Sequence, residues 1–160
     1  MNNNEELIQT FYDAFARRDY ATMQDCYSAN PVFNDPVFGI LQGDEVKAMW
    51  EMLCKSATDL TIQTDKIEVD GEYGTCNWTA IYPFSKTGRK VVNKIKAHMR
   101  IADGKIIEHT DEFDIYKWSR QALGLPGILL GWSGYLKNKI RSDARKKLDA
   151  FMKNRLTFHQ

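Results

Sequence analysis

The sequence predicts an α+β domain: a curved antiparallel sheet wrapped round N-terminal helices, with a C-terminal helical extension. Three observations carry this. Apolar residues recur at helical spacing from Leu7 to Leu53. From Leu60 the period drops to two, and the alternation is cut by Asp70-Gly71, Thr87-Gly88 and Asp103-Gly104. After Asp114 helical spacing returns. Helices first and a strand meander second give an α+β layer arrangement, with the helices on one side of the sheet.

Residues 5–18 place Leu7, Ile8, Phe11 and Phe15 on one helical stripe, with Glu5 and Glu6 at the favourable end of the dipole. Asp19 suits the cap of a second short helix through Met23 and Cys26. Pro31 and Pro36 bracket a short extended segment, Val32 to Asp35. Gly43-Asp44 opens a third helix over 45–57, with Val46, Met49, Trp50 and Leu53 on its apolar stripe. Four long strands follow. The second, 73–84, puts Cys76, Trp78, Ala80, Tyr82 and Phe84 on one face; the third, 90–102, puts Val91, Asn93, Ile95, Ala97, Met99 and Ile101 there. The last, 105–114, carries Ile107, His109, Asp111 and Phe113 on one face, and Asp114 suits a helix cap. The apolar segment 122–132, broken by Gly and Pro, reads as a lid over an apolar opening or as a packing surface. Residues 136–155 form a basic amphipathic helix striped by Leu136, Ile140, Ala144, Leu148, Phe151 and Met152. The division is a domain over 1–118 and an extension over 119–160 that packs on the domain or across a dimer.

The bulk properties narrow the function. A chain of 160 residues, 43% apolar, suits a single core. The N-terminus has neither the basic nor the apolar region of a signal peptide, and no apolar run reaches the ~20 residues of a membrane span. Cys26, Cys54 and Cys76 lack metal or redox spacing and read as free, buried thiols of a reducing, cytoplasmic compartment. The net charge of +1 hides an asymmetry: residues 136–160 carry eight basic and two acidic side chains, whereas the body is net acidic. Nucleic acid is therefore not an expected partner of the body, and only the tail is electropositive enough to seek an anionic surface.

The order helix–helix–short strand–helix–four long strands resembles the nuclear transport factor 2-like superfamily. Phe33-Asn34-Asp35-Pro36-Val37 resembles the Glu-Asp-Pro-Val stretch that carries the base of ketosteroid isomerase. The run from Asp103 to Asp114, with Gly104-Lys105-Ile106 and Glu108-His109, resembles the signature of SnoaL-like proteins, and Gly88-Arg89-Lys90 also fits. The resemblance covers about residues 5–118. It implies a cone-like sheet closed round an apolar pocket, and it implies Asp35 in the place of the isomerase's proton-shuttling carboxylate. Phe11, with Tyr12 beside it, stands where that isomerase has an oxyanion-hole tyrosine, and Ala97 stands where it has a protonated aspartic acid. Isomerases, cyclases, dehydratases and binding modules share this fold, so the fold alone does not choose among them.

With that geometry, the catalytic candidates are Asp35, His109 and Asp111, a histidine–carboxylate group able to move protons near neutral pH. Phe11, Phe15, Trp50, Trp78, Tyr82, Phe84, Asn93, Ala97 and Phe113 are the expected lining, with Tyr82 or Asn93 placed to hydrogen-bond a substrate oxygen. No metal site and no cofactor are expected. The expected chemistry is isomerase-, cyclase- or dehydratase-like acid–base catalysis on a hydrophobic small molecule; the alternative is a non-catalytic binding module for such a ligand or for a protein. A homodimer through the outer sheet face is the default assembly. Membrane contact through the basic tail is a third, weaker reading.

Overall fold

The computed structural model describes residues 2–130, without the side chain of Leu130, and 133–157; Gly131 and Trp132 of the apolar segment, and His159, lie outside the described residues. Two helices, α1 (Asn3–Ala16) and α2 (Tyr20–Asp25), precede strands β1 (Tyr27–Asp35) and β2 (Gly39–Gln42) and helix α3 (Asp44–Ser56). Strands β3 (Thr61–Asp70), β4 (Tyr73–Pro83), β5 (Lys90–Ala102) and β6 (Lys105–Glu112) form the meander, and α4 (Ile115–Leu123), α5 (Leu125–Leu130) and α6 (Gly134–Thr157) follow. Local chemistry explains the helix starts. Asn2 and Glu5 close a capping box on α1, Asp19 accepts from Thr22 N at α2, and Asp114 accepts from Lys117 N at α4.

The sheet is curled and unclosed, with six strands in the order β2-β1-β6-β5-β4-β3. All neighbours are antiparallel except β1 and β6, which run parallel with Phe33 opposite His109. The first strand is longer than the segment 32–35 expected from its two prolines. Pro31 lies inside it at a register irregularity, where a missing N–H removes no ladder bond, and Gly43 N bonds back to Pro31 O at 2.8 Å.

Two bulges set the curvature and re-aim side chains. In β3 the register slips between Asp65 and Glu68, with Lys66 at φ 52°. In the β5–β6 ladder it slips between Arg100 and Ile101, whose partners are Glu108 and Ile106. Ile107 is the extra residue, and this corrects the expected inward face: Ile106 is buried in the core, while Ile107 is only half-buried and out of phase with His109.

The core fills the concave side, between the sheet and helices α1 and α3. Gly74 marks the tightest approach, because a Cβ there would stand 2.6 Å from Ile8 Cδ1 of α1. The extension closes this side. Leu148 of α6 is fully buried and joins the main core cluster. Arg155 reaches Asp44 of α3 at 2.6 Å, and Arg145 pairs with Glu45. Trp118 and Ala122 of α4 form a second cluster over Val91 of β5. Among the described residues no helix is long and apolar enough to cross a membrane.

Leu148→Ala leaves a cavity under α6 and is expected to cost about 2–4 kcal/mol. Thermal or urea unfolding of the variant checks this; a loss below about 1 kcal/mol would mean that α6 is not anchored through this residue.

Candidate functional site

Strands β1, β4, β5 and β6 and helices α3, α4 and α6 surround a cavity of about 500 Å³. That size suits a small organic ligand. Its wall is largely apolar: Phe15, Phe33, Met49, Trp50, Trp78 and Phe113 among others. Polarity enters at a few points. Asp35 ends β1 on one side, Asp111 projects from β6, and Asn93 and Tyr82 project from the neighbouring strands.

Alternation explains why Asp111 and His109 point inward, but the two hold different depths. Asp111 lines the cavity; His109 does not and is 1% exposed, encased by the rings of Phe11, Tyr27, Phe33 and Trp50. A buried hydrogen-bond chain runs through them. Trp50 Nε1 donates to Tyr27 Oη at 2.9 Å. Tyr27 Oη lies 2.6 Å from His109 Nδ1, and His109 Nε2 lies 2.9 Å from Asp111 Oδ1. Trp78 Nε1 donates more weakly to the same Oδ1 at 3.4 Å. An indole nitrogen can only donate. Tyr27 Oη therefore accepts from Trp50; at the other end the Asp111 carboxylate can only accept, so His109 gives its Nε2 proton to Asp111 and its Nδ1 takes the Tyr27 proton.

Asp35 is held in a different way. Its Oδ1 accepts from Val37 N at 2.9 Å and Phe38 N at 2.6 Å, an Asx turn closed through Pro36. Burial, reinforced by the charge of Asp111, pushes this carboxyl up to about 7 against the pull of the two backbone bonds. Both carboxylates are thus tied through Oδ1, and both residues line the cavity. Tyr82 Oη accepts from Trp118 Nε1 at 2.8 Å and keeps its own O–H to donate inward. Burial raises the Tyr82 phenol, so that hydroxyl stays protonated.

Of the expected lining, Phe15, Trp50, Trp78, Tyr82, Phe84, Asn93 and Phe113 do line the cavity. Phe11 and Ala97 do not. Phe11 is fully buried behind the wall, edge-on to Tyr27, Trp50 and His109, and Ala97 is covered where it pairs with Asp111 across the ladder. Tyr12 is buried against Trp78, and its hydroxyl has no hydrogen-bond partner among the described residues. Burial pushes the three cysteine thiols up to about 11, which keeps them protonated and unreactive.

Sequence reasoning missed Tyr27 and the inner face of α6. Extending the alternation back from Asp35 through Phe33 and Pro31 reaches Tyr27 in phase, so a signal existed. Leu123 lines the cavity from the apolar segment expected as a lid or a packing surface, and Leu136, Lys139, Ile140, Asp143, Ala144 and Lys147 of α6 line it as well.

Two outcomes follow from this geometry. Tyr27→Phe strands both Trp50 Nε1 and His109 Nδ1, so it is expected to cost about 1–3 kcal/mol and to change the ¹⁵N shifts of His109 as its tautomer is freed. Unchanged imidazole shifts would refute the assigned proton order. The raised carboxyl of Asp35 carries a sign. The native state holds a proton that the unfolded chain loses above about 4. Stability therefore falls as pH rises from about 4 to 7, by about 2–4 kcal/mol, and levels off above that. Asp35→Asn should flatten this dependence in denaturant titrations; an unaltered slope would show that the carboxyl is not raised.

Comparison with known proteins agrees with this architecture. No curated protein matches the chain. An NTF2-like protein of unknown function from Burkholderia pseudomallei K96243 superposes with a TM-score of 0.69 at 22% identity, covering 78% of this chain and all of its own. A candidate SnoaL-like polyketide cyclase from Jannaschia sp. CCS1 superposes with a TM-score of 0.67 at 15% identity, covering 78% and 94%. TerC, co-crystallised with polyporic acid, gives 0.61 at 16% identity, covering 71% and 92%. These identities speak for a shared fold. The model of the SnoaL-like domain matches residues 8–109, from α1 to the imidazole of β6, and the chain belongs to that family.

Proposed function

We propose that the chain is a small-molecule enzyme that moves protons on a hydrophobic substrate held in the cavity. The observation that carries this reading is the pair of carboxylates: Asp35 and Asp111 line one largely apolar cavity from different strands, each tied through one oxygen. Asp35, near half-ionised at neutral pH, is the better proton shuttle. It takes a proton from a carbon beside a carbonyl and returns it to a second carbon or to a departing hydroxyl. Tyr82, and Asn93 beside it, donate to the substrate oxygen on which charge builds. Asp111 steadies positive charge or relays the proton, and His109 and Tyr27 act through it as positioning residues. Isomerisation, ring closure and dehydration all use this proton economy, and the co-crystallisation of TerC, which shares the fold, with polyporic acid supports a small organic molecule as the ligand.

On the outer sheet face Ile81 and Val92 stand opposite each other, half-buried and flanked by Thr79. We infer that two copies pair through this face, and sedimentation velocity distinguishes dimer from monomer.

The catalytic reading is tested by incubating the protein with hydrophobic ketones in D₂O and following exchange of the hydrogens beside the carbonyl by NMR. Wild type should accelerate exchange. Asp35→Asn should lose about 10²–10⁴ of that rate while ligand binding persists. Binding without exchange in the wild type would instead make the protein a carrier of the ligand.

A further inference from the structure

The cavity is charged at two depths. Asp35 and Asp111 lie on the strands of its floor, whereas Lys86, Lys139, Asp143 and Lys147 line its mouth. Three of these four come from one face of α6, whose lining positions recur at helical spacing from Leu136 to Lys147. The signs do not cancel. Asp143 pairs with Lys86 from the turn between β4 and β5 at 3.5 Å. Lys139 and Lys147 stand four residues to either side of Asp143, and neither has a carboxylate within ion-pair distance among the described residues. Two other cations of α6 are committed to α3 instead: Arg145 to Glu45 and Arg155 to Asp44.

Resting on the small-molecule reading above, we propose that the ligand is an amphipathic anion: an apolar, oxygen-bearing body lies inside, and a carboxylate, sulfonate or phosphate lies at the mouth against Lys139 and Lys147. The orientation follows from charge. An anionic group at the floor would meet Asp35 and Asp111, but at the rim it meets two cations left over after Asp143 and Lys86 neutralise each other. The wall that the body of the ligand meets is largely apolar, with Met49, Trp50, Leu53 and Trp118 among its residues. This rim belongs to α6, outside the residues 8–109 that match the family domain, so it is a specificity element of this chain's own extension.

A matched pair of fluorescent probes tests this on the full chain. 8-Anilinonaphthalene-1-sulfonate carries the anion, and N-phenyl-1-naphthylamine is the same aromatic body without it. Wild type should bind the sulfonate more tightly, with affinity falling as salt is raised. The double variant Lys139→Glu/Lys147→Glu should weaken the sulfonate by about tenfold or more and leave the neutral probe within about twofold. Lys139→Arg/Lys147→Arg should retain sulfonate binding. Circular dichroism and a melting curve confirm that each variant is folded, which the solvent-facing position of both lysines favours. Equal affinity of wild type for the two probes, or a sulfonate affinity indifferent to charge reversal, overturns the anionic ligand and leaves the apolar cavity standing. Failure of wild type to bind either probe overturns both the anion and the small-molecule reading.

Discussion

An indole N–H has one hydrogen to give and no lone pair to offer in return. Placed at the head of a buried chain of polar groups, it fixes the first bond, as a carboxylate that can only accept fixes the last, and the bonds between must run the same way. Trp50 on α3 gives to Tyr27 on β1, Tyr27 gives to His109 on β6, and His109 gives to Asp111. Each of these groups would cost the fold heavily if left unpaired in the apolar interior. The chain of bonds therefore locks α3, β1 and β6 into one relative placement. The parallel seam between β1 and β6, the only parallel pairing of the sheet, is where this network crosses from strand to strand. The carboxylate at its end inherits a fixed orientation without spending an oxygen on the solvent.

Much of this was legible in the residues themselves. Period-two alternation placed the inner faces of β4 and β5 correctly over their whole length, because both strands are half-covered by helices and a half-buried strand must alternate. The caps at Asp19 and Asp114 were readable because a short acidic side chain before a helix has few better uses. His109 and Asp111 were also found by alternation, yet sequence could not say that one is sealed behind aromatic rings while the other meets the cavity. Depth comes from neighbours distant in the chain. The bulge at Ile107 was invisible for a related reason: one extra residue in a ladder leaves the composition of the strand unchanged and shows only against its partner. Tyr27 was hidden by Pro31, which reads locally as the edge of a strand and is in fact tolerated inside one at an irregularity. Phe11 and Ala97 were assigned to the lining by likeness to an enzyme whose donors occupy those places. Here a bare ring and a methyl group let the wall close over them.

The extension shows the complementary limit. Its apolar stripe announced that it would pack, and Leu148 does so. A stripe says nothing about which charges will be consumed in packing and which will be left. That distinction appears only when Arg145 and Arg155 are seen bound to α3 while Lys139 and Lys147 border the opening. The cavity is therefore built by two distant parts of the sequence: the strands supply the floor and its carboxylates, and α6 supplies most of the rim. On the proposals above, chemistry and selectivity fall to separate elements, so that one could be altered with limited disturbance to the other.

The β1–β6 seam also constrains how the protein comes into being. Asp35 and Asp111 line one cavity but lie far apart in sequence, and the whole of α3 and four strands must be threaded between them. Closing so long a loop is the entropically costly event of folding, and it raises the contact order of the domain. A ribosome-bound chain that has not yet released β6 can form the first helices and the β3–β4 hairpin, but it has no partner for the inner edge of β1. Such an intermediate exposes an unpaired strand edge and an apolar concavity at once. The last native contacts to form are then those of the site itself, so a molecule with the site assembled is one whose sheet is already complete.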